Sequence, residues 1–230
     1  MRVVIAGAGS VGRSIARELL AHEHEVTLID RQPTAMRVAQ VAEADWLLAD
    51  ACELSTLREA KAAECDVMVA ATGDDKANLV IALLAKTEFG VPRTVARVNN
   101  PKNEWMFDEA WGVDVAVSTP RIMTAMVEEA VSVGDLVRIF TFHQSRAGIL
   151  ELTLPDGSPL AGVRVGQIAW PDDTVLACIV RDARPIAPSA DDTLEGRDEL
   201  LFVMGRDADE AALEQVLRRG LDASREPASS

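Results

Sequence analysis

The sequence predicts an α/β fold: a doubly wound parallel sheet, then one further helix, then a small α+β module. Three observations predict it. Over residues 1–118, short continuous apolar runs alternate with amphipathic stretches, the pattern of strands covered on both faces by crossover helices. A turn of spacing G-x-G-x-x-G (Gly7, Ala8, Gly9, Ser10, Val11, Gly12) follows the first apolar run and opens the first amphipathic one. Beyond Thr119 the pattern changes to strand-like runs separated by turn residues such as Pro155, Asp156 and Gly157.

Taken in order, strands are expected at 2–6, 25–29, 46–48, 67–71, 94–98 and 113–117. Helices are expected between them at 10–21, 34–42, 54–62, 76–89 and 102–111. Right-handed crossovers then wind the sheet on both faces. Residues 120–132 read as one amphipathic helix, with Ile122, Met123, Met126, Val127 and Ala130 on one side and Gly134 to end it. Strands follow at 137–142, 149–154, 175–180 and 200–204, with a turn at Arg184 and Pro185, and Asp207 caps a last helix at 208–218. The expected organisation is a nucleotide-binding unit over 1–118, a crossover helix over 119–134, a C-terminal module over 135–220 and a disordered tail over 221–230.

Composition narrows the function. The 230 residues are 48% hydrophobic and 26% charged, as in globular proteins. Lys plus Arg number 23 against 37 Asp plus Glu, a net charge of −14. That balance argues against nucleic-acid partners, whose phosphates are gripped by Lys and Arg, and against anionic lipid surfaces. No apolar run approaches the ~20 residues of a membrane helix, so direct membrane insertion is not expected. Cys52, Cys65 and Cys178 form no CxxC pair, which points to a reduced, cytoplasmic setting. The first residues run straight into the glycine turn, so a signal peptide is not expected there.

The glycine turn carries the chemistry. In this context Gly7 makes the tight turn, Gly9 lets a pyrophosphate approach the backbone, and Gly12 lets helix and strand pack closely. Amide N–H groups near Ser10 and Val11 would face the phosphates. Asp30 ends the second strand, where an acid binds a ribose hydroxyl pair and repels a 2′-phosphate, which favours NAD or an adenine nucleotide over NADP. Asp50 and Ala51 follow the third strand, and Ala71, Thr72, Gly73, Asp74 and Asp75 follow the fourth. Asp50 could accept from an adenine amino group, and Thr72 and Gly73 could meet the distal phosphate or ribose. Asp75 reads as a helix cap. Asn78, one turn into the helix, is expected to face the ligand, and Arg97 at the end of the fifth strand could reach phosphate.

Machinery for hydride transfer is scarce. The chain has no tyrosine and three histidines. His22 and His24 fall at the end of the first helix, and His143 lies on a strand of the second module without an evident acidic partner. A small NAD-dependent oxidoreductase is therefore the alternative to a sensor that acts through differential affinity for two conformations. A sensor serving a different transporter is a third reading.

Both halves together resemble one family. The glycine turn, Asp30, Asp50-Ala51, the run from Val69 to Asp75 with Asn78, and Ala96-Arg97-Val98-Asn99 resemble an RCK (regulator of potassium conductance) N-terminal domain. Ser158 to Gly162, Ile179-Val180-Arg181, Ile186-Ala187-Pro188, Asp192-Thr193-Leu194 and Gly196 to Leu200 are similar to the RCK C-terminal, or TrkA-C, domain. The chain thus resembles the TrkA family, the regulatory subunits of bacterial Trk/Ktr potassium uptake systems.

The resemblance implies a Rossmann-like first domain, a crossover helix and a small α+β RCK C-terminal domain. It implies a non-enzymatic cytoplasmic subunit that binds NAD(H), with ATP or ADP as the alternative. The partners it implies are a membrane potassium transporter subunit of Trk/Ktr type and other RCK subunits. These would assemble as a homo-oligomer (dimer, tetramer or octameric ring) or as a hetero-ring with a paralogous RCK subunit. Carried over by position, the ligand residues are Gly7, Ala8, Gly9, Ser10, Val11, Gly12, Asp30, Arg31, Asp50, Ala51, Ala71, Thr72, Gly73, Asn78 and Arg97. Ala49 stands where the family has the glycine of Gly-Asp-Ala. Ser10 stands where ATP-sensing members often carry arginine, which tilts the reading to NAD(H), although Arg13 lies one turn along. A cyclic dinucleotide in the C-terminal domain would draw on Arg181, Arg184 and Pro188.

Overall fold

The computed structural model describes residues 1–131, 133–142 and 145–219. The chain divides into two compact units, Met1–Arg121 and Ile122–Ser230. In the first unit the order is β1 (Arg2–Ala6), α1 (Ser10–Ala21), β2 (Glu25–Asp30), β3 (Asp45–Leu48), α2 (Leu54–Glu59), β4 (Val67–Ala70), α3 (Asp75–Thr87), β5 (Arg93–Val98) and β6 (Val115–Ser118). The six strands form one sheet in the order β3-β2-β1-β4-β5-β6, all pairs parallel. The chain runs outward from β1 through β2 to β3, then crosses back to β4 and runs outward the other way. The reversal opens a crevice at the carboxyl ends of β1 and β4, where open α/β sheets bind ligands.

Period-two alternation along each strand supplies both faces of this sheet. Val4, Ala6, Met68, Ala70 and Ala96 join one buried cluster, while Val3, Ile5, Val26, Leu28 and Val69 join another. The helices meet the sheet through small residues: α1 buries Gly12 and Ala16, and α3 buries Ala82 and Ala85 beside Leu79 and Ile81.

Helix α4 (Thr119–Val131) carries the chain across the division and leaves Ile122, Met123, Met126 and Val127 exposed. In the second unit β7 (Val137–Thr141), β8 (Gly148–Thr153), β9 (Thr174–Arg181), β10 (Arg184–Ile186) and β11 (Glu199–Met204) form an antiparallel sheet ordered β10-β9-β11-β8-β7. With α5 (Glu210–Arg219) it encloses a core that includes Leu150, Leu152, Ile179, Leu200, Phe202, Leu213 and Leu217.

Several expected elements differ. The helix expected at 34–42 is two 3-10 turns, Pro33–Ala35 and Val38–Gln40, with no buried residue in either; of the stretch only Val41 is buried, with Ala35 packed against the same cluster, too little to hold a short helix. The one expected at 102–111 is also two 3-10 turns, Pro101–Met106 and Glu109–Trp111, because the Asp108 carboxylate accepts from the Ala110 and Trp111 N–H groups and restarts the chain. Of its large side chains Phe107 is buried, while Trp105 stands 77% exposed. Helix α2 stops at Glu59, before Lys61 turns left-handed.

The expected turn at Arg184 and Pro185 is the edge strand β10. The turn lies at Asp182 and Ala183, both at positive φ as a two-residue hairpin requires. Asp209, not Asp207, caps α5 by accepting from the Ala212 N–H at 3.1 Å. Ser132, His143 and the expected tail at 221–230 lie outside the described residues.

Candidate functional site

The crevice over β1 and β4 is a cleft of about 420 Å³. Its floor is the glycine turn. Gly7 sits at φ +107°, and a Cβ there would come 2.7 Å from the Ala71 carbonyl carbon, so only glycine lets the ends of β1 and β4 approach. At Gly12 a Cβ would fall 1.8 Å from the Gly7 oxygen, so the missing side chain sets how closely α1 enters the turn. Gly9 precedes α1 in extended conformation. The helix has no capping side chain and no acid in its first turn, so its leading N–H groups stay available to an anion.

Asp30 holds this turn in place. One carboxylate oxygen accepts from the Ala8 N–H and the other from the Gln32 N–H, both at 2.8 Å. Each oxygen keeps a lone pair for a hydroxyl, because an ionised carboxylate has about four acceptor sites. Next to it, Asp50 accepts from the Cys52 N–H at 2.9 Å and faces the Arg31 guanidinium at 3.5 Å. The backbone N–H of Cys52, with a further contribution from Arg31, holds its carboxyl below the usual range. Burial, helped by the Asp50 charge, pushes the Cys52 thiol up to about 11, so the thiol is protonated at neutral pH.

The opposite wall comes from β4, α3 and β5. Asn78 is fully buried. Its carbonyl accepts from the Thr72 N–H at 2.9 Å and the Thr72 hydroxyl at 2.6 Å, and its NH₂ donates to the Arg97 carbonyl at 2.8 Å. Asp74 caps α3 by accepting from the Lys76 N–H at 2.9 Å. Arg97 lines the cleft with its Nε buried and unpartnered.

The cleft brings together Gly7, Gly9, Ser10, Val11, Asp30, Arg31, Asp50, Ala51, Ala71, Thr72, Gly73 and Arg97. Three expected ligand residues stand behind it instead. Ala8 is buried and presents its N–H to Asp30, Gly12 packs under Gly7, and Asn78 clamps Thr72 and Arg97. Arg13 turns its guanidinium to the Ala8 carbonyl. His22 caps α1, its Nδ1 2.7 Å from the Glu18 carbonyl oxygen.

Sequence reasoning missed Ile29, Gln32, Ala35, Ala49, Cys52, Asp74, Ala77 and Ile81 as lining residues. Ile29, Gln32, Ala49, Cys52, Asp74 and Ala77 each adjoin an expected ligand residue, while Ala35 and Ile81 follow Arg31 and Asn78 within about one turn, so sequence proximity was the available signal. Asp75 differs from its expected role. Asp74 is the cap, and the buried Asp75 carboxylate reaches across to Asn99, Asn100 and Asn103. Burial alone would raise its pKa, but these N–H donors outweigh it and hold the carboxyl below the usual range.

In the second unit, Arg181 is not free for a ligand. It grips Asp198 with two parallel bonds of 2.7 and 2.8 Å, and it also bonds Glu195 and the Thr193 carbonyl. Its guanidinium holds the 193–198 loop to β9.

Fold and cleft define a Rossmann-type α/β unit, its switch point open above an unblocked helix N-terminus, followed by a small antiparallel module. Comparison with known proteins gives the family. Residues 3–119 match the TrkA-N domain and residues 149–217 match the TrkA-C domain. The chain is 55% identical over 210 residues to the Trk system potassium uptake protein TrkA of Mycobacterium tuberculosis (strain ATCC 25618 / H37Rv), which covers 91% of this chain and 96% of that one. It is 32% identical over 210 residues to a Trk system potassium uptake protein TrkA homolog of Methanothermobacter thermautotrophicus, at 90% and 95% coverage. The chain belongs to the TrkA family. A solved structure of the GsuK channel bound to NAD has the same fold, with a TM-score of 0.63 at 16% identity, over 98% of this chain and 45% of that one.

Proposed function

We propose that this chain is a nucleotide-sensing regulatory subunit of a potassium uptake system. It binds NAD(H) in the cleft of its first unit and acts through shape, not through covalent chemistry. The observation that carries this reading is the pairing of Asp30 with the uncapped N-terminus of α1 at the switch point of the sheet. A ribose hydroxyl pair would bond Asp30, and a pyrophosphate would lie over the N–H groups of Ser10 and Val11. The adenine would sit on the side of Arg31 and Asp50, beyond β2. The second ribose and its base would lie over Thr72 and Gly73, beyond β4, with the unpartnered Arg97 Nε as a donor. Ser10 provides no cation for a terminal phosphate, and Arg13 is engaged at Ala8, which favours a dinucleotide over ATP or ADP.

The titratable side chains lining the cleft are Asp30, Arg31, Asp50, Cys52, Asp74 and Arg97. The acids are tied to backbone N–H groups and Cys52 is a protonated thiol, which disfavours the oxidoreductase alternative. Among the described residues no helix is long and apolar enough to cross a membrane. The membrane step therefore belongs in this reading to a transporter of Trk/Ktr type, with this subunit on its cytoplasmic side. The exposed apolar face of α4 suits a second RCK subunit, which makes the working form a dimer or a larger ring.

Calorimetric titration with NAD, NADH, ATP, ADP and NADP, with mass followed by light scattering, tests the reading. NAD or NADH binding to an oligomer, with NADP at least about 100-fold weaker, is the expected result. Equal affinity for NADP removes the role given to Asp30. Turnover of the cofactor with a panel of small alcohols and hydroxy acids would move the chain to the oxidoreductases.

A further inference from the structure

The distal wall of the cleft is tied to the first turn of α4 by a run of polar contacts. Thr72 lines the cleft, and its carbonyl accepts from both Asn78, at 3.2 Å, and Asn99, at 3.0 Å. The same Asn99 amide donates to Asp75 at 3.0 Å. The Asp75 carboxylate, 7% exposed, also accepts from the Asn99 N–H at 2.7 Å, the Asn100 N–H at 3.0 Å and the Asn103 amide at 2.7 Å. The neighbour of Asn103, Glu104, is ion-paired to Arg121 of α4.

The segment between these anchors has an unusual footing. Pro101–Met106 is a 3-10 turn without a single buried residue. Met106, at its end, packs against the core beside the buried Phe107, and polar contacts place the rest. It is held from one side by Asp75 and from the other by the Glu104–Arg121 pair. An element with so little burial is one that moves at low cost. The Asp75 end is rigid, because a buried carboxylate with four N–H donors does not give one up cheaply. Glu104 and Arg121 are 35% and 64% exposed in their side chains, so that link is the weaker one.

We infer that Asp75 is a positioning residue that couples occupancy of the cleft to the first turn of α4, through Asn99, Asn103 and the Glu104–Arg121 pair. The inference rests on the nucleotide reading above. A ligand that bonds Thr72 shifts the β4 end. Asn99 and Asp75 move with it because they share its hydrogen bonds, and the 101–106 turn follows as a body. No contact between ligand and α4 is required.

Hydrogen–deuterium exchange of the full chain, with and without saturating NAD and, separately, ADP, tests this. In the unaltered protein NAD should slow exchange at the glycine turn, in residues 99–106 and in the first turn of α4, each by at least about fivefold. Asn103→Ala and Glu104→Gln should keep the NAD dissociation constant within about twofold and keep the slowing at the glycine turn, but lose it in α4. Exchanging the charges (Glu104→Arg with Arg121→Glu) should restore it, which a merely structural role would not produce. Asp75→Asn, which turns an NH₂ toward backbone donors, should lose the slowing in 99–106 as well. Slowing of α4 that survives in both Asn103→Ala and Glu104→Gln overturns the coupling, as does slowing confined to the glycine turn in the unaltered protein. Absence of slowing at the glycine turn with NAD and with ADP marks failure of the nucleotide reading itself, and the coupling falls with it.

Discussion

Helices α1 and α3 start at the carboxyl ends of the neighbouring strands β1 and β4, both at the cleft, and both run about the same length: 12 residues against 13. Their N-termini are nonetheless opposites. The α1 terminus has Gly9 before it, no side-chain cap and no acid in the first turn. The α3 terminus has Asp74 bonded to Lys76 and Asp75 behind it. Each helix carries roughly half a positive charge at its start. In α1 that charge is left for something outside the chain, while in α3 the chain has already answered it. Two similar βα units thus divide the work, one open to an anion and the other closed and braced.

Three substitutions break or sharpen this comparison. Asp30→Ala has the largest expected effect, because it removes the support of the Ala8 N–H as well as the hydroxyl acceptor. NAD affinity should fall by ~100-fold or more, from charge-assisted bonds of about 1.5–3 kcal/mol each; an unchanged titration curve would leave α1 without its acidic partner role. Ser10→Asp makes α1 resemble α3. It should weaken NAD binding by roughly tenfold through repulsion of the pyrophosphate, while the helix itself gains ~0.3–1 kcal/mol from the macrodipole. Tighter binding in calorimetry would show that phosphate does not lie there. Asp74→Ala has the smallest effect. The lost cap should cost ~1 kcal/mol in urea denaturation, with NAD affinity changed less than about threefold. A large loss of affinity would mean that the braced terminus also contacts ligand.

The parallel sheet was legible in the sequence because continuous apolar strands and a glycine turn are local signals. Asp30 was legible for the same reason, as an acid at a set distance from the turn. The stretches at 34–42 and 102–111 look amphipathic but form 3-10 turns, because each buries only one or two side chains, Val41 in the first and Phe107 with Met106 in the second, too few to hold a helical face. The difference between Asp74 and Asp75 was invisible. Adjacent carboxylates at a helix start look alike until one is seen to cap Lys76 and the other to reach Asn103, 28 residues away in sequence.

The sequence by itself determined the order of the strands in the first unit, the glycine turn and the acid that ends β2 beside it, because each depends on neighbours close along the chain. The tertiary structure alone decided which polar groups remain free. Asn78 and Arg181 look like ligand residues in the sequence, yet the fold turns the first to Thr72 and Arg97 and the second to Asp198 and Glu195. Arg97, at the end of a strand like many surface arginines, is left with a buried Nε and no partner. Whether a side chain is satisfied depends on atoms brought together from distant parts of the chain, and those distances exist only once the sheets have formed.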